Sequence, residues 1–113
     1  MIYHVCKAAD WALAKMAGRY TGSPDDTRDG FIHFSALAQL QESVARHRAG
    51  QSSLVLLVVD PVPLGETLKW EPSRGGALFP HLYGVLPVSA VVAAHDLPLG
   101  PDGAHVFPAD IFA

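Results

Sequence analysis

Cysteine is almost absent from this chain. Cys6 is the single one, so no disulfide can form within the chain and no cluster of thiolates can hold a metal. Charge is scarce as well: 17% of the residues are Asp, Glu, Lys or Arg, and a formal net charge of -3 gives no basis for general binding to a nucleic-acid backbone. The one basic run, Arg46-His47-Arg48, falls where a helix should end before Gly50, and cations there complement the helix dipole. Long apolar stretches are missing too. Leu54–Val59, the longest, is far too short to span a bilayer, and the start Met-Ile-Tyr-His-Val-Cys lacks the basic segment and apolar core of a signal peptide. These features predict a cytoplasmic protein with no membrane partner, and none of them sets an oligomeric state. The usual phosphate loops (Gly-x-x-x-x-Gly-Lys, Gly-x-Gly-x-x-Gly) and the Gly-x-Ser-x-Gly elbow are also absent.

What is present is a chain of 113 residues, half of them apolar, which suits one domain (1–113) with a core that needs no staples. Ile2 to Cys6 reads as a strand, and Ala8 to Ala17 as an alanine-rich helix anchored by Trp11 and stopped by Gly18. Asp10 would cap a shorter version of that helix. Tyr20 to Asp29 is polar and turn-like, centred on Ser23-Pro24-Asp25-Asp26, and reads as a loop. A strand is expected from about Gly30, with Phe31, His33 and Ser35 on one face, then a helix to about Ala49 on the stripe Leu37, Leu40 and Val44. Leu54–Val59 has the continuous β-favouring run of a central strand buried on both faces. Leu68 to Glu71, Phe79 to Gly84 and Ala90 to Leu97 follow as extended segments before an irregular, proline-containing tail. This order predicts an α+β fold with a mostly antiparallel β core and two helices in the N-terminal half.

The groups able to carry chemistry are the histidines His4, His33 and His81, each in an apolar strand-like context. One such histidine is ordinarily structural, but three on neighbouring strands would converge with Ser35 and Tyr83 on one pocket. Ser35 has a second reading, as the cap of the helix that follows it. Glu71, beside the Ser73-Arg74-Gly75-Gly76 turn, is the candidate carboxylate for acid–base work or for orienting ribose hydroxyls. Trp70 would stack on a ring at a pocket rim, and Arg74 would meet a phosphate through its planar fork. A metal site would have to draw on His33, His81 and Asp29, without any recognised ligand spacing. Cys6, in apolar surroundings, reads as packing.

Asp29-Gly30-Phe31-Ile32-His33-Phe34-Ser35, Leu54 to Asp60, Trp70-Glu71 and Phe79-Pro80-His81-Leu82-Tyr83-Gly84, in this order, resemble a family of small bacterial and plant proteins, the domain of unknown function 952 family. That family implies no reaction. Ile2-Tyr3-His4-Val5-Cys6 and Ile32-His33-Phe34-Ser35 are more distantly similar to the Tyr-His-Gly-Thr-like and Val-His-Leu-Ser-like elements of RNA 2'-phosphotransferases and related ADP-ribosyltransferase-fold proteins. This second resemblance implies an ADP-ribosyltransferase-like core and an NAD-like or nucleotide ligand. His4 and His33 would then position ribose and phosphate, His33, His81 and Glu71 would be the catalytic set, and Tyr20 or Trp70 would stack. Val5-Cys6 stands where Gly-Thr is expected, and the arginines of the phosphotransferases are missing. The competing readings are a non-catalytic module for a small metabolite and an interaction domain with histidines buried in its core.

Overall fold

The computed structural model describes residues 1–112, and the side chain of Arg74 lies outside the described residues. The chain runs β1 (Ile2–Lys7), α1 (Ala8–Ala17), β2 (Arg19–Tyr20), α2 (Pro24–Asp29), β3 (Ile32–His33), α3 (Leu37–His47) and β4 (Leu54–Val59). After a 3-10 segment at Val62–Thr67 come β5 (Leu68–Pro72), β6 (Leu78–Leu82), β7 (Leu86–Pro87) and β8 (Val91–Asp96). All strand pairs are antiparallel and helices are segregated from strands, which makes the fold α+β. Its radius of gyration, 13.3 Å, is that of a single packed body of this length.

The first sheet has the order β1-β4-β8, so the apolar run Leu54–Val59 is central as its composition requires. Val55, Leu57 and Val59 join one core cluster with Trp11, Tyr20, Ile32 and Phe34, while Leu54 and Leu56 join another with Leu40, Val44 and Leu97. Removing a side chain such as Leu56 or Leu57 from water is worth about 1.5–3 kcal/mol, and both are fully buried. A strand covered on both faces cannot alternate with polar residues, and this one does not.

The second sheet, β3-β6-β5, meets the first through one bridge. Tyr3 N–H donates to the Ser35 carbonyl at 2.9 Å and Ser35 N–H to the Tyr3 carbonyl at 2.8 Å. In β3 and β6, Ile32 faces Leu82 and His33 faces His81. Because directly opposed residues share a face, the buried Ile32 and Leu82 point to the core, and His33 and His81 both point away from it.

Four local expectations are corrected. The polar stretch before the Asp-Gly pair is not all loop, since it holds the six-residue α2, and Gly30, with φ of 86°, is that helix's left-handed C-cap. The strand expected from Gly30 to Ser35 is paired at Ile32 and His33 only. α3 begins after Ala36, whose N–H donates to Gln39 Oε1 at 2.9 Å, so Ser35 is not its cap. Asp10 sits inside the first turn of α1, which starts after Lys7. Among the described residues, no helix is long and apolar enough to cross a membrane.

Candidate functional site

Asp26 organises the site. Ser23 caps α2: Asp26 N–H donates to Ser23 Oγ at 3.4 Å and Ser23 N–H donates back to Asp26 Oδ2 at 2.7 Å, with Pro24 in the first turn. The Ser23 hydroxyl donates to the same carboxylate oxygen at 3.0 Å. Oδ1 accepts from His33 N–H at 3.0 Å and from His33 Nδ1 at 2.5 Å. Burial alone would raise the Asp26 carboxyl, but the His33 ring, the nearby His4 and the backbone donors outweigh it and bring the group to about 2. Gly22 makes room for this: a Cβ there would meet Asp26 Cβ at 2.8 Å.

His33 therefore has a carboxylate on each ring nitrogen, because its Nε2 lies 3.0 Å from Asp29 Oδ2. A carboxylate only accepts, so both nitrogens carry protons and the ring is an imidazolium. The Asp26 bond holds His33 above the usual imidazole range against the opposing effect of burial. His4 is the opposite case. Its Nδ1–H donates to the His33 carbonyl at 2.6 Å, which leaves Nε2 to accept from the Tyr20 hydroxyl at 2.8 Å. Burial lowers His4 and wins over the raising effect of Asp26, so this ring is neutral. Burial also raises the Tyr20 phenol and pushes the Cys6 thiol up to about 12, which removes Cys6 as a nucleophile at neutral pH.

His81 is tied to a carboxylate. Its Nδ1–H donates to Glu71 Oε1 at 2.9 Å, and the Tyr83 hydroxyl donates to the same oxygen at 2.6 Å. These two bonds pull the Glu71 carboxyl down, and the hydrogen bond to Glu71 pushes the Tyr83 phenol up. Nε2 of His81 has no hydrogen-bond partner among the described residues. Phe31 covers the ring, stacked at 4.0 Å and 30°, and the His33 ring stands edge-on to it at 5.7 Å.

His33 and His81 open on a cleft of about 200 Å³. Its floor is β1 with Phe34 and Ser35, one wall is α2, and the other is α3 through Leu40, Ser43 and Val44. Of the residues singled out in the sequence, His4, His33, Ser35 and His81 line this cleft. Ser35 Oγ donates across it to Ser43 Oγ at 3.1 Å. Glu71 and Tyr83 stand behind His81, and Tyr20 stands behind His4. Trp70 pairs with Pro80 and so points to the other face of the second sheet, away from the histidines. The Arg74 side chain lies outside the described residues. Asp26 and Ser43 escaped the sequence reading as site residues, and the Ser-x-x-Asp capping spacing is the signal that would have found Asp26. Among the described residues, no three His, Cys, Asp or Glu side chains are placed to hold a metal ion.

Comparison with solved structures finds Caulobacter crescentus protein CC0527. Its crystal structure is 50% identical with a TM-score of 0.93, covering 99% of this chain and 98% of that one. The solution structure of CC0527 is 54% identical with a TM-score of 0.81, covering 91% and 89%. No curated protein matches. The family model described as "Protein of unknown function (DUF952)" matches residues 5–94, which hold α2, both histidine strands and Glu71, and the chain belongs to that family.

Proposed function

We propose that this chain binds an NAD-like or nucleotide ligand in the cleft between α2 and α3, and that His81 acts on it as a general base in an ADP-ribosyl-type transfer. One observation carries the reading: the His81 ring is fixed from behind by Glu71 while its Nε2 has no partner among the described residues and its ring lines the cleft. A carboxylate on Nδ1 selects the tautomer with a lone pair on Nε2 and steadies the imidazolium that forms on proton uptake. In the transfer, an acceptor hydroxyl or water gives its proton to Nε2 as its oxygen bonds to the anomeric carbon of the nicotinamide ribose. The bond to nicotinamide breaks and nicotinamide leaves neutral. His33, charged and fixed, offers the complement to the ligand's phosphates. The resemblance of Ile2-Tyr3-His4 and Ile32-His33-Phe34-Ser35 to ADP-ribosyltransferase-fold elements supports an NAD-type ligand, since the Tyr3–Ser35 bridge sets the two side by side. A single cysteine, buried and unpaired, suits the reducing cytoplasm.

The size of the cleft favours a second reading. About 200 Å³ is below the roughly 300–1,000 Å³ of pockets for drug-sized ligands, which suits a small metabolite held without turnover. The two are separated by titrating NAD, ADP-ribose and mononucleotides by NMR and thermal shift, with His33→Ala and His81→Ala as controls, and by measuring nicotinamide release. Resonances around His33 and His81 should move with NAD, and His81→Ala should abolish release. Binding without release favours the metabolite module, and no response to any nucleotide sinks the NAD-type reading.

A further inference from the structure

Asp29 closes α2, and its carboxylate is held at both oxygens. Oδ1 accepts from Arg28 Nε at 3.1 Å and Oδ2 from His33 Nε2 at 3.0 Å, and all three residues line the cleft. A guanidinium and an imidazolium converging on one planar anion is the arrangement by which proteins recognise carboxylates and phosphates. Here the anion comes from the chain itself.

The two carboxylates on His33 are unequal. Asp26 is buried, serves four donors and has no route to leave. Asp29 has a side chain 34% exposed and serves two donors that are themselves open to solvent. Exposed pairs of this kind are held weakly, because water and salt compete for both partners.

We propose that the Asp29 carboxylate occupies an oxyanion subsite formed by Arg28 and His33, and that it leaves when a ligand bearing a phosphate or carboxylate enters the cleft. This rests on the cleft being a ligand site, and holds whichever ligand that is. His33 keeps its Nδ1 bond to Asp26 throughout, so the ring stays charged and aimed while its Nε2–H passes from one anion to the other. No covalent bond changes. Tethered beside the site, Asp29 competes as if it were present at about millimolar concentration, so millimolar oxyanions suffice to displace it.

The test is a titration of isotopically labelled protein with inorganic phosphate and, separately, acetate, following the His33 ring and the amides of residues 24–33. Asp29→Ala should bind phosphate about fivefold more tightly at low salt, the effect of removing one charge about 4 Å away in water. Asp29→Asn, which keeps the side-chain shape, should do the same. Asp25→Ala removes a charge 3.4 Å from Arg28 without touching His33, and should tighten phosphate by less than the Asp29 variants do, about two- to threefold for a charge about 7 Å away in water. Adding His33→Gln to Asp29→Ala should erase the gain. A gain for phosphate alone marks a phosphate subsite, and an equal gain for acetate marks a general oxyanion subsite. Phosphate affinity unchanged or weakened in both Asp29 variants, or shifts confined to residues away from α2 and His33, overturns the proposal. If nucleotides fail to bind but the Asp29 variants gain phosphate, the subsite stands and the nucleotide reading falls; the opposite pattern retires the subsite alone.

Discussion

Replacing Asp26 by Asn should destabilise the protein by an amount that depends on pH in a defined way. The Asp26 carboxyl lies at about 2 against an ordinary 3.8, which corresponds to about 2 kcal/mol of stability at neutral pH. Because the folded value is the lower one, this contribution is complete above pH 3.8 and is lost as pH falls toward 2. An amide adds a second cost. It offers one acceptor oxygen to the four donors that Asp26 now serves and turns its NH2 toward the rest, which costs about 1–3 kcal/mol in a buried site. Asp26→Asn should therefore lose about 3–5 kcal/mol at pH 7, within the 5–15 kcal/mol typical of a domain, so the variant remains folded and measurable. Urea denaturation of both proteins from pH 6 to pH 2 is the assay. The difference between them cancels the other titrating groups, and it should shrink by about 2 kcal/mol over that interval. A difference below about 0.5 kcal/mol at pH 7, or one that stays constant with pH, refutes Asp26 as a buried, charged hub.

His33 and His4 should titrate in opposite directions from the ordinary 6.5: by nitrogen NMR, His33 stays protonated above it and His4 stays neutral below it. His33's stabilising contribution is accordingly full below pH 6.5 and lost as pH rises through its folded value, and a reversed order of titration contradicts the assignment. Glu71→Ala, which removes the hydrogen bond, should return the Tyr83 phenol toward its ordinary value of 10, read by ultraviolet absorbance; an unmoved titration means that the bond to Glu71 is not what holds the proton on Tyr83. Leu57→Ala, at a fully buried position of β4, should cost about 2–5 kcal/mol in chemical denaturation, whereas Val92→Ala on the exposed side of β8 should stay within about 0.5 kcal/mol. Equal losses at the two positions argue against the two-faced burial of β4.

The elements built on apolar patterns were legible in the sequence. Leu54–Val59 declared a doubly covered strand, and the stripe Leu40 and Val44 declared the buried face of α3. α2 was not legible, because Pro24–Asp29 has no apolar periodicity; capping by Ser23 and Asp26 holds it, and a polar stretch of that kind also reads as a turn. The same ambiguity made the Asp-Gly pair look like a turn leading into a strand, where it ends a helix. That His33 and His81 meet depends on pairing between strands 48 residues apart, which no local pattern encodes. Glu71 was visible as a carboxylate near the site, but its action through His81 and Tyr83 is a matter of strand register. So is the outward turn of Trp70.

The pairing of His33 with His81 also limits where the chain can change length. Within three consecutive residues, His33 pairs with His81, Phe34 N–H donates to the Pro80 carbonyl at 3.0 Å, and Ser35 bridges to Tyr3. A residue inserted or deleted between His33 and Ser35 must therefore break one of these attachments. A slip by one position would swing an imidazole to the opposite side of its sheet. The segments between α3 and β4 and after β8 are anchored chiefly where they adjoin the first sheet, by Ala8 N–H on the Ser53 carbonyl and Leu97 N–H on the Leu54 carbonyl. Length variation among relatives should collect there, while the short tract joining β3 to α3 keeps its number of residues even where its side chains differ.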